Sequence, residues 1–282
     1  MSIQVIDVSY HNGIIDFARV KKAGVSGVII RAGYGTKTVD KKFIVNMKAA
    51  IAAGMHIGCY WFMYGENNED ALANARKCVE TIKGYKDYID LGVYSDWEYD
   101  SDKRAPGQTK ERRTEFVRLF NGYIEEQGFD AGTYTNVDYY KNKFDMSKLK
   151  KWPVWIARYN KELGDYDCIM WQYSSIGNVD GITGHVDMNH YYGQVSDNKF
   201  ENYENYENKS NEGEYKMPTI KRGSTGKAVK VWQIIIGFTG TDVDGIFGKN
   251  TEKATKEFQE KKGLVVDGIV GPKSWNAGLS DL

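Results

Sequence analysis

Between residues 3 and 135, short apolar runs alternate with longer segments that are apolar along one side, and no other feature of the chain restricts its fold so strongly. Residues 3–9, 27–32, 56–62, 92–98 and 131–135 have the length and composition of strands. The run Gly27-Val-Ile-Ile-Arg-Ala32 is apolar except for Arg31, as a strand covered on both faces requires. Residues 17–23, 42–53, 70–82 and 109–126 carry apolar side chains at helical spacing, Phe116, Leu119, Phe120 and Tyr123 being the longest such series. Strands and helices that alternate predict a parallel sheet. Beyond residue 135 three more strand-like runs follow, at 152–157, 169–173 and 185–189, joined by loops rich in Gly and Asn. The expected fold is therefore α/β, an irregular TIM-like (β/α)5β3 barrel. Asp7, Arg31, Asp96, Glu98, Tyr134 and Asp187 all fall at expected C-terminal strand ends, the rim on which parallel barrels build their sites.

The stretch Val93-Tyr-Ser-Asp96-Trp-Glu98-Tyr99 suggests a chemistry for that rim. On a strand, Asp96 and Glu98 project from one face with Cα atoms about 6–7 Å apart. Two carboxylates so placed repel, which raises one pKa and leaves the other group ionised. Glycoside hydrolysis needs that division, a protonated acid for the leaving oxygen and an anion for the developing cation. The plain alternative is a solvated strand end with two surface acids. Trp97 alternates with the pair and is expected in the core.

Composition excludes several other classes. Lys plus Arg and Asp plus Glu are equal at 38 each, without a basic run, so no nucleic-acid partner is expected. Aromatic residues reach 13%, with 20 Tyr and 7 Trp, which suits stacking on sugars as well as filling a core. Cys59, Cys78 and Cys168 are too few and too far apart for a disulfide framework or zinc site, and are expected as free thiols. The first residues lack a signal peptide's basic and apolar regions, and no apolar run reaches membrane-spanning length. The chain is thus expected to be made in the cytoplasm, to insert in no membrane and to need help to reach any outside target.

Composition changes at residues 196–216, where Glu-Asn-Tyr-Glu-Asn-Tyr-Glu-Asn has no apolar period and is expected to form a flexible linker. Residues 217–282 are expected to form a small three-helix domain, around Val229, Trp232 and Ile236, around Ala254 and Phe258, and after Pro272 with Trp275 and Leu279. Asp244-Gly-Ile-Phe-Gly248 recurs as Asp267-Gly-Ile-Val-Gly271, two expected tight turns. A calcium loop at Asp242 and Asp244 is rejected, because Thr251 stands where a bidentate Glu is needed.

Several blocks in order resemble glycoside hydrolase family 25, the muramidases often called lysozymes. They are Val5-Ile-Asp7-Val-Ser-Tyr-His-Asn-Gly13, Gly27–Ala32, Gly58-Cys-Tyr60-Trp-Phe62, Tyr94-Ser-Asp96-Trp-Glu98, Thr133-Tyr134-Thr135, Pro153-Val-Trp155-Ile-Ala157, Trp171-Gln-Tyr173 and Gly181-Ile-Thr-Gly-His-Val-Asp187-Met-Asn189. The resemblance covers residues 1–195, the expected catalytic domain. Residues 217–282 resemble the type 1 peptidoglycan-binding domain through Lys221–Gly226, Gln233, Asp244–Gly248, Phe258-Gln259 and Asp267–Pro272 with Trp275.

The resemblance implies cleavage of the β-1,4 bond after N-acetylmuramic acid in peptidoglycan, with no metal and no cofactor. It implies Glu98 as general acid. Asp96 would stabilise the oxocarbenium-like centre or orient the substrate's N-acetyl group, and Asp7 and Asp187 match the family's other two rim acids. Tyr60, Phe62, Tyr134, Trp155 and Tyr173 are the aromatic candidates for the sugar cleft, each with a plain core reading beside it. Gln172 is a candidate donor to an N-acetyl carbonyl, and Arg31 is expected to pair with a rim acid. The leading reading is an endolysin released by membrane permeabilisation. A host autolysin, a catalytically silent wall-binding protein and a glycosidase for chitin-like chains are the alternatives. Glu-Gly-Glu upstream of Met217 can be encoded by a purine-rich ribosome-binding sequence, so a second product starting at Met217 could associate with the full chain.

Overall fold

The computed structural model describes residues 2–195, 218–238 and 240–279. The chain divides at residue 200 into two compact units. The expected linker, 196–216, and Met217 lie outside the described residues.

The first unit is built from β1 (Ile3–Val8), α1 (Phe17–Lys22), β2 (Gly27–Tyr34), β3 (Thr38–Val39), α2 (Phe43–Ala52), β4 (His56–Phe62), α3 (Asn68–Ile82), β5 (Ile89–Asp96), α4 (Tyr99–Arg104), α5 (Lys110–Glu126), β6 (Ala131–Asn136), α6 (Met146–Leu149), β7 (Val154–Ala157), β8 (Met170–Gly177) and β9 (Val186–Tyr191). The strand order is β1-β9-β8-β7-β6-β5-β4-β2-β3, and pairing of β1 with β2 closes the sheet. Eight strands therefore form a barrel, with the two-residue β3 appended antiparallel to β2. All barrel neighbours are parallel except around β9, which runs antiparallel to both β8 and β1.

Helices form where local sequence starts them. Asp16, Asn67 and Thr109 accept from the backbone N–H three residues on and so open α1, α3 and α5. The apolar sides of α1, α2, α3 and α5 cover the outside of β1, β2, β4, β5 and β6 through Val20, Met47, Val79, Phe116 and Phe120. The last strands lack such helices, as expected, and α6 has only four residues. Val5, Ile29, Leu91, Tyr94, Trp155, Met170 and Tyr191 fill the barrel. Gly132 makes room for that filling: a Cβ there would stand 2.4 Å from Cε1 of Tyr94. Cys59 and Cys78 are buried free thiols and Cys168 is half-buried and free.

In the second unit, α7 (Lys227–Ile235), α8 (Lys249–Lys261) and α9 (Pro272–Leu279) pack around Trp232, Trp275, Val229, Phe247 and Val270. The repeated turns are bound in the same way twice. Gln233 Nε2 donates to Asp244 Oδ1 (2.8 Å) and Gln233 Oε1 accepts from Gly245 N (2.9 Å). Gln259 does the same with Asp267 (2.9 Å) and Gly268 (2.8 Å). Asp244 also accepts from Ile246 N, so its carboxylate closes a turn, which is the job the calcium reading would have taken from it.

Candidate active site

Parallel strands deliver their C-terminal ends to one rim, and closure of the barrel joins residues far apart in sequence. Asp7 on β1 and Asp187 on β9 are direct partners across the antiparallel pair. Asp96 ends β5, level with Phe62 on β4 and Tyr134 on β6. Glu98 lies beyond the strand, in extended backbone, where it caps α4. Its N–H donates to Ser101 Oγ (3.0 Å) and its carbonyl accepts from Ser101 N (2.9 Å). Behind it, Asp102 accepts from Trp97 Nε1 (3.0 Å), Arg113 Nε (2.7 Å) and Tyr139 OH (2.6 Å). Trp97 is buried against Phe116, as the alternation predicted.

Asp7, Tyr60, Asp96, Glu98, Tyr134, Trp155, Gln172 and Asp187 all line one cavity of about 200 Å3, together with Tyr159. A second cavity of about 320 Å3 shares Tyr60, Asp96 and Glu98 and adds Tyr10, His11, Arg31, Tyr34, Phe62, Asp100 and Arg104. Phe62 thus belongs to the neighbouring arm rather than to the acid pocket. Tyr173 belongs to neither lining. Its ring stacks on His190 at 4.7 Å and packs in the outer cluster of Trp171, Val154 and Ile156. The strand alternation explains this, because Gln172 faces inward and its neighbour must face out. Trp155 is a buried floor, its Nε1 donating to Asn189 Oδ1 (2.8 Å) and its ring edge-on to Tyr60, Tyr94 and Tyr134.

Gln172 lines the cavity. Its amide is engaged within the protein: Oε1 accepts from Tyr134 OH (3.1 Å) and Tyr159 OH (3.0 Å), and Nε2 donates to Asp7 Oδ2 (2.9 Å). Arg31 pairs with Asp40 (2.8 Å), an acid from the loop after β3 and not one of the four rim acids expected as its partner, and Asp40 is itself held by the N–H groups of Tyr10 and Lys42. Sequence reasoning missed Asp40, Tyr159 and Asn189. Only Asn189 carried a usable signal, standing two residues after Asp187 on one strand.

All four acids are held above the ordinary carboxylate range, burial being the largest cause for each. Burial raises Asp7 to about 8, helped by Asp187 and opposed by N–H donation from Asn189 and Gln172. Burial raises Asp187 to about 6. Asp96 is raised by burial, then by Glu98 and Asp7. Glu98 is raised by burial, then by Asp100 and Asp187. Protons are shared among such groups, and the titration belongs to the cluster.

Residues 6–182 match glycosyl hydrolases family 25. The chain belongs to this family. Residues 227–277 match a peptidoglycan binding domain. The autolytic lysozyme of Clostridium acetobutylicum is 30% identical over 280 residues, covering 96% of this chain and 77% of that protein. The modular autolysin LytC of Streptococcus pneumoniae superposes with a TM-score of 0.61 at 29% identity, over 68% of this chain and 47% of LytC, so the match spans about half of LytC. The CTP1L endolysin, whose structure reveals how its activity is regulated by a secondary translation product, has a TM-score of 0.58 at 25% identity, over 71% of this chain and 68% of that one. This family 25 chain is a glycoside hydrolase of the lysozyme type that acts on peptidoglycan. Its rim brings four carboxyls, all raised by burial, onto one cavity.

Proposed function

We propose that the enzyme is an endolysin-type muramidase that cuts the β-1,4 bond between N-acetylmuramic acid and N-acetylglucosamine and reaches the wall after membrane permeabilisation. Glu98 is the general acid. Of the four raised acids only Glu98 and Asp96 line both cavities, and Glu98 is the less buried of these two, so a leaving oxygen can meet it there. Asp96 works from below, stabilising positive charge at the anomeric carbon or orienting the substrate's N-acetyl group. Tyr60, Tyr134 and Tyr159 form walls against which a pyranose ring can lie. The convergence of four raised carboxyls on one cavity carries this reading. Digestion of purified walls tests it: new reducing sugar ends support it, while release of amino groups without sugar ends would mean a peptide or amide bond is cut.

A second element concerns Met217. The similarity to an endolysin regulated by a secondary translation product supports the same arrangement here, with the fragment starting at Met217 joining the full-length chain. Expression of the native coding sequence should yield a short product, and Met217→Leu should remove it. A short product that persists in Met217→Leu would end this part of the reading.

A further inference from the structure

Two amides, Asn189 and Gln172, meet Asp7 at the inner side of the acid pocket. Asn189 is fully buried on β9. Its Oδ1 accepts from Trp155 Nε1 (2.8 Å), and an indole nitrogen can only donate, so the Nδ2 side must point the other way. That side donates to Asp7 Oδ2 (2.8 Å). Gln172 stands in the same sense, its Oε1 accepting from the Tyr134 and Tyr159 hydroxyls and its Nε2 donating to the same oxygen (2.9 Å). Asp7 Oδ2 therefore receives two N–H donors, which fill its two lone pairs.

We propose that Asn189 and Gln172 are positioning residues that pin Asp7 Oδ2 as an acceptor and leave Oδ1 as the oxygen that carries the proton Asp7 shares with Asp187. The inference rests on the muramidase reading and adds to it a source of the cluster's proton order. Without the two donors a proton on Asp7 could sit on either oxygen. With them, Asp7 offers one defined donor to the pocket, directly across the strand pair from Asp187. The other titratable groups that act on Asp7 are Glu98 and Asp96 at the end of β5, Tyr60 from β4, Tyr134 from β6 and Tyr159 from the loop after β7. Arg31 from β2 acts on Asp96 and favours its charged form. The high pKa of Asp7 agrees with a retained proton.

The test uses isosteric variants of the full-length protein, Asn189→Asp and Gln172→Glu, with kcat, KM and the pH profile of wall hydrolysis measured for each. Asn189→Asp can keep the Trp155 hydrogen bond and turns a donor against Asp7 into a carboxyl. A further like charge raises the apparent titrations of the whole cluster, so both limbs of the profile should move to higher pH, on the order of one unit. kcat should fall about tenfold or more through misplacement of the proton, with KM changed less than about twofold. Gln172→Glu should act in the same direction. Gln172 borders the cavity, which Asn189 does not, so Gln172→Glu decides the matter if Asn189→Asp does not fold. Folded variants whose melting temperature falls while both limbs stay at the wild-type pH would overturn the proposal and leave a packing role. A wild-type protein without sugar-end release would instead sink the muramidase reading on which the proposal rests.

Discussion

Glu98→Gln should lower peptidoglycan turnover about 1,000-fold, within the span that a positioned proton donor contributes. Glutamine keeps the size of the side chain and the capping of α4, which uses the backbone of residue 98 and Ser101 Oγ. What it removes is an acidic proton at the mouth of the cavity. The remaining raised acids cannot replace it from their own positions. Asp96 is 5% exposed and Asp7 6%, so both are more enclosed than Glu98, and Asp187 stands on β9 as the direct strand partner of Asp7. Wall binding by the second unit should be unchanged, because its core and turns contain no residue of the barrel. Soluble saccharide release together with sedimentation on walls separates the two effects. More than a tenth of wild-type turnover in a folded Glu98→Gln protein would remove Glu98 from the acid role.

The second large effect is expected far from the chemistry. Trp232→Ala should unfold the peptidoglycan-binding unit while leaving the barrel folded. Trp232 is fully buried, 5.1 Å from the Trp275 ring and 5.2 Å from Phe258, and its Nε1 donates to Thr255 Oγ1 (2.9 Å). Truncating a buried tryptophan costs about 3–5 kcal/mol. A core this small rarely supplies more than about 3–5 kcal/mol in total. Loss of the whole unit, rather than a weakened version of it, is the expected result. Calorimetry of the full chain should show one transition in place of two, sedimentation on walls should be lost, and turnover of soluble glycan fragments should stay within about twofold. Retained wall binding in Trp232→Ala would mean that the three-helix core is not what presents the binding surface.

Much of this was legible because strand and helix periods differ and because parallel strands put their C-terminal ends together. Asp7, Asp96 and Glu98 could be placed on one rim from their positions in the strand pattern, and Trp97 could be sent to the core by alternation; Asp187 reaches that rim from the N-terminal end of β9, because this strand runs antiparallel, and not from the C-terminal strand end expected of it. The same alternation, applied more strictly, would have separated Gln172 from Tyr173, since neighbours on a strand cannot both face the cavity. Phe62 lines the second cavity beside Asp96 and Glu98, and sequence does not show how the rim divides into two cavities. The partners that orient the acids were not legible. Gln172, Asn189 and Asp7 meet only because β8, β9 and β1 close the barrel, which brings together residues separated by well over 150 positions. Tyr159 and Asp40 reach the site from loops, where no periodicity reports direction. Whether Gln172 faces the substrate or another protein group depends on the hydroxyls around it, which only the packed rim displays.

The central claim is that this carboxyl cluster cuts on the reducing side of N-acetylmuramic acid. The most direct measurement is mass spectrometry of soluble fragments from purified peptidoglycan, reduced with borohydride after digestion. The account predicts fragments ending in muramitol, formed by the wild type and not by Glu98→Gln. Fragments ending in glucosaminitol, or equal release by both proteins, would contradict it.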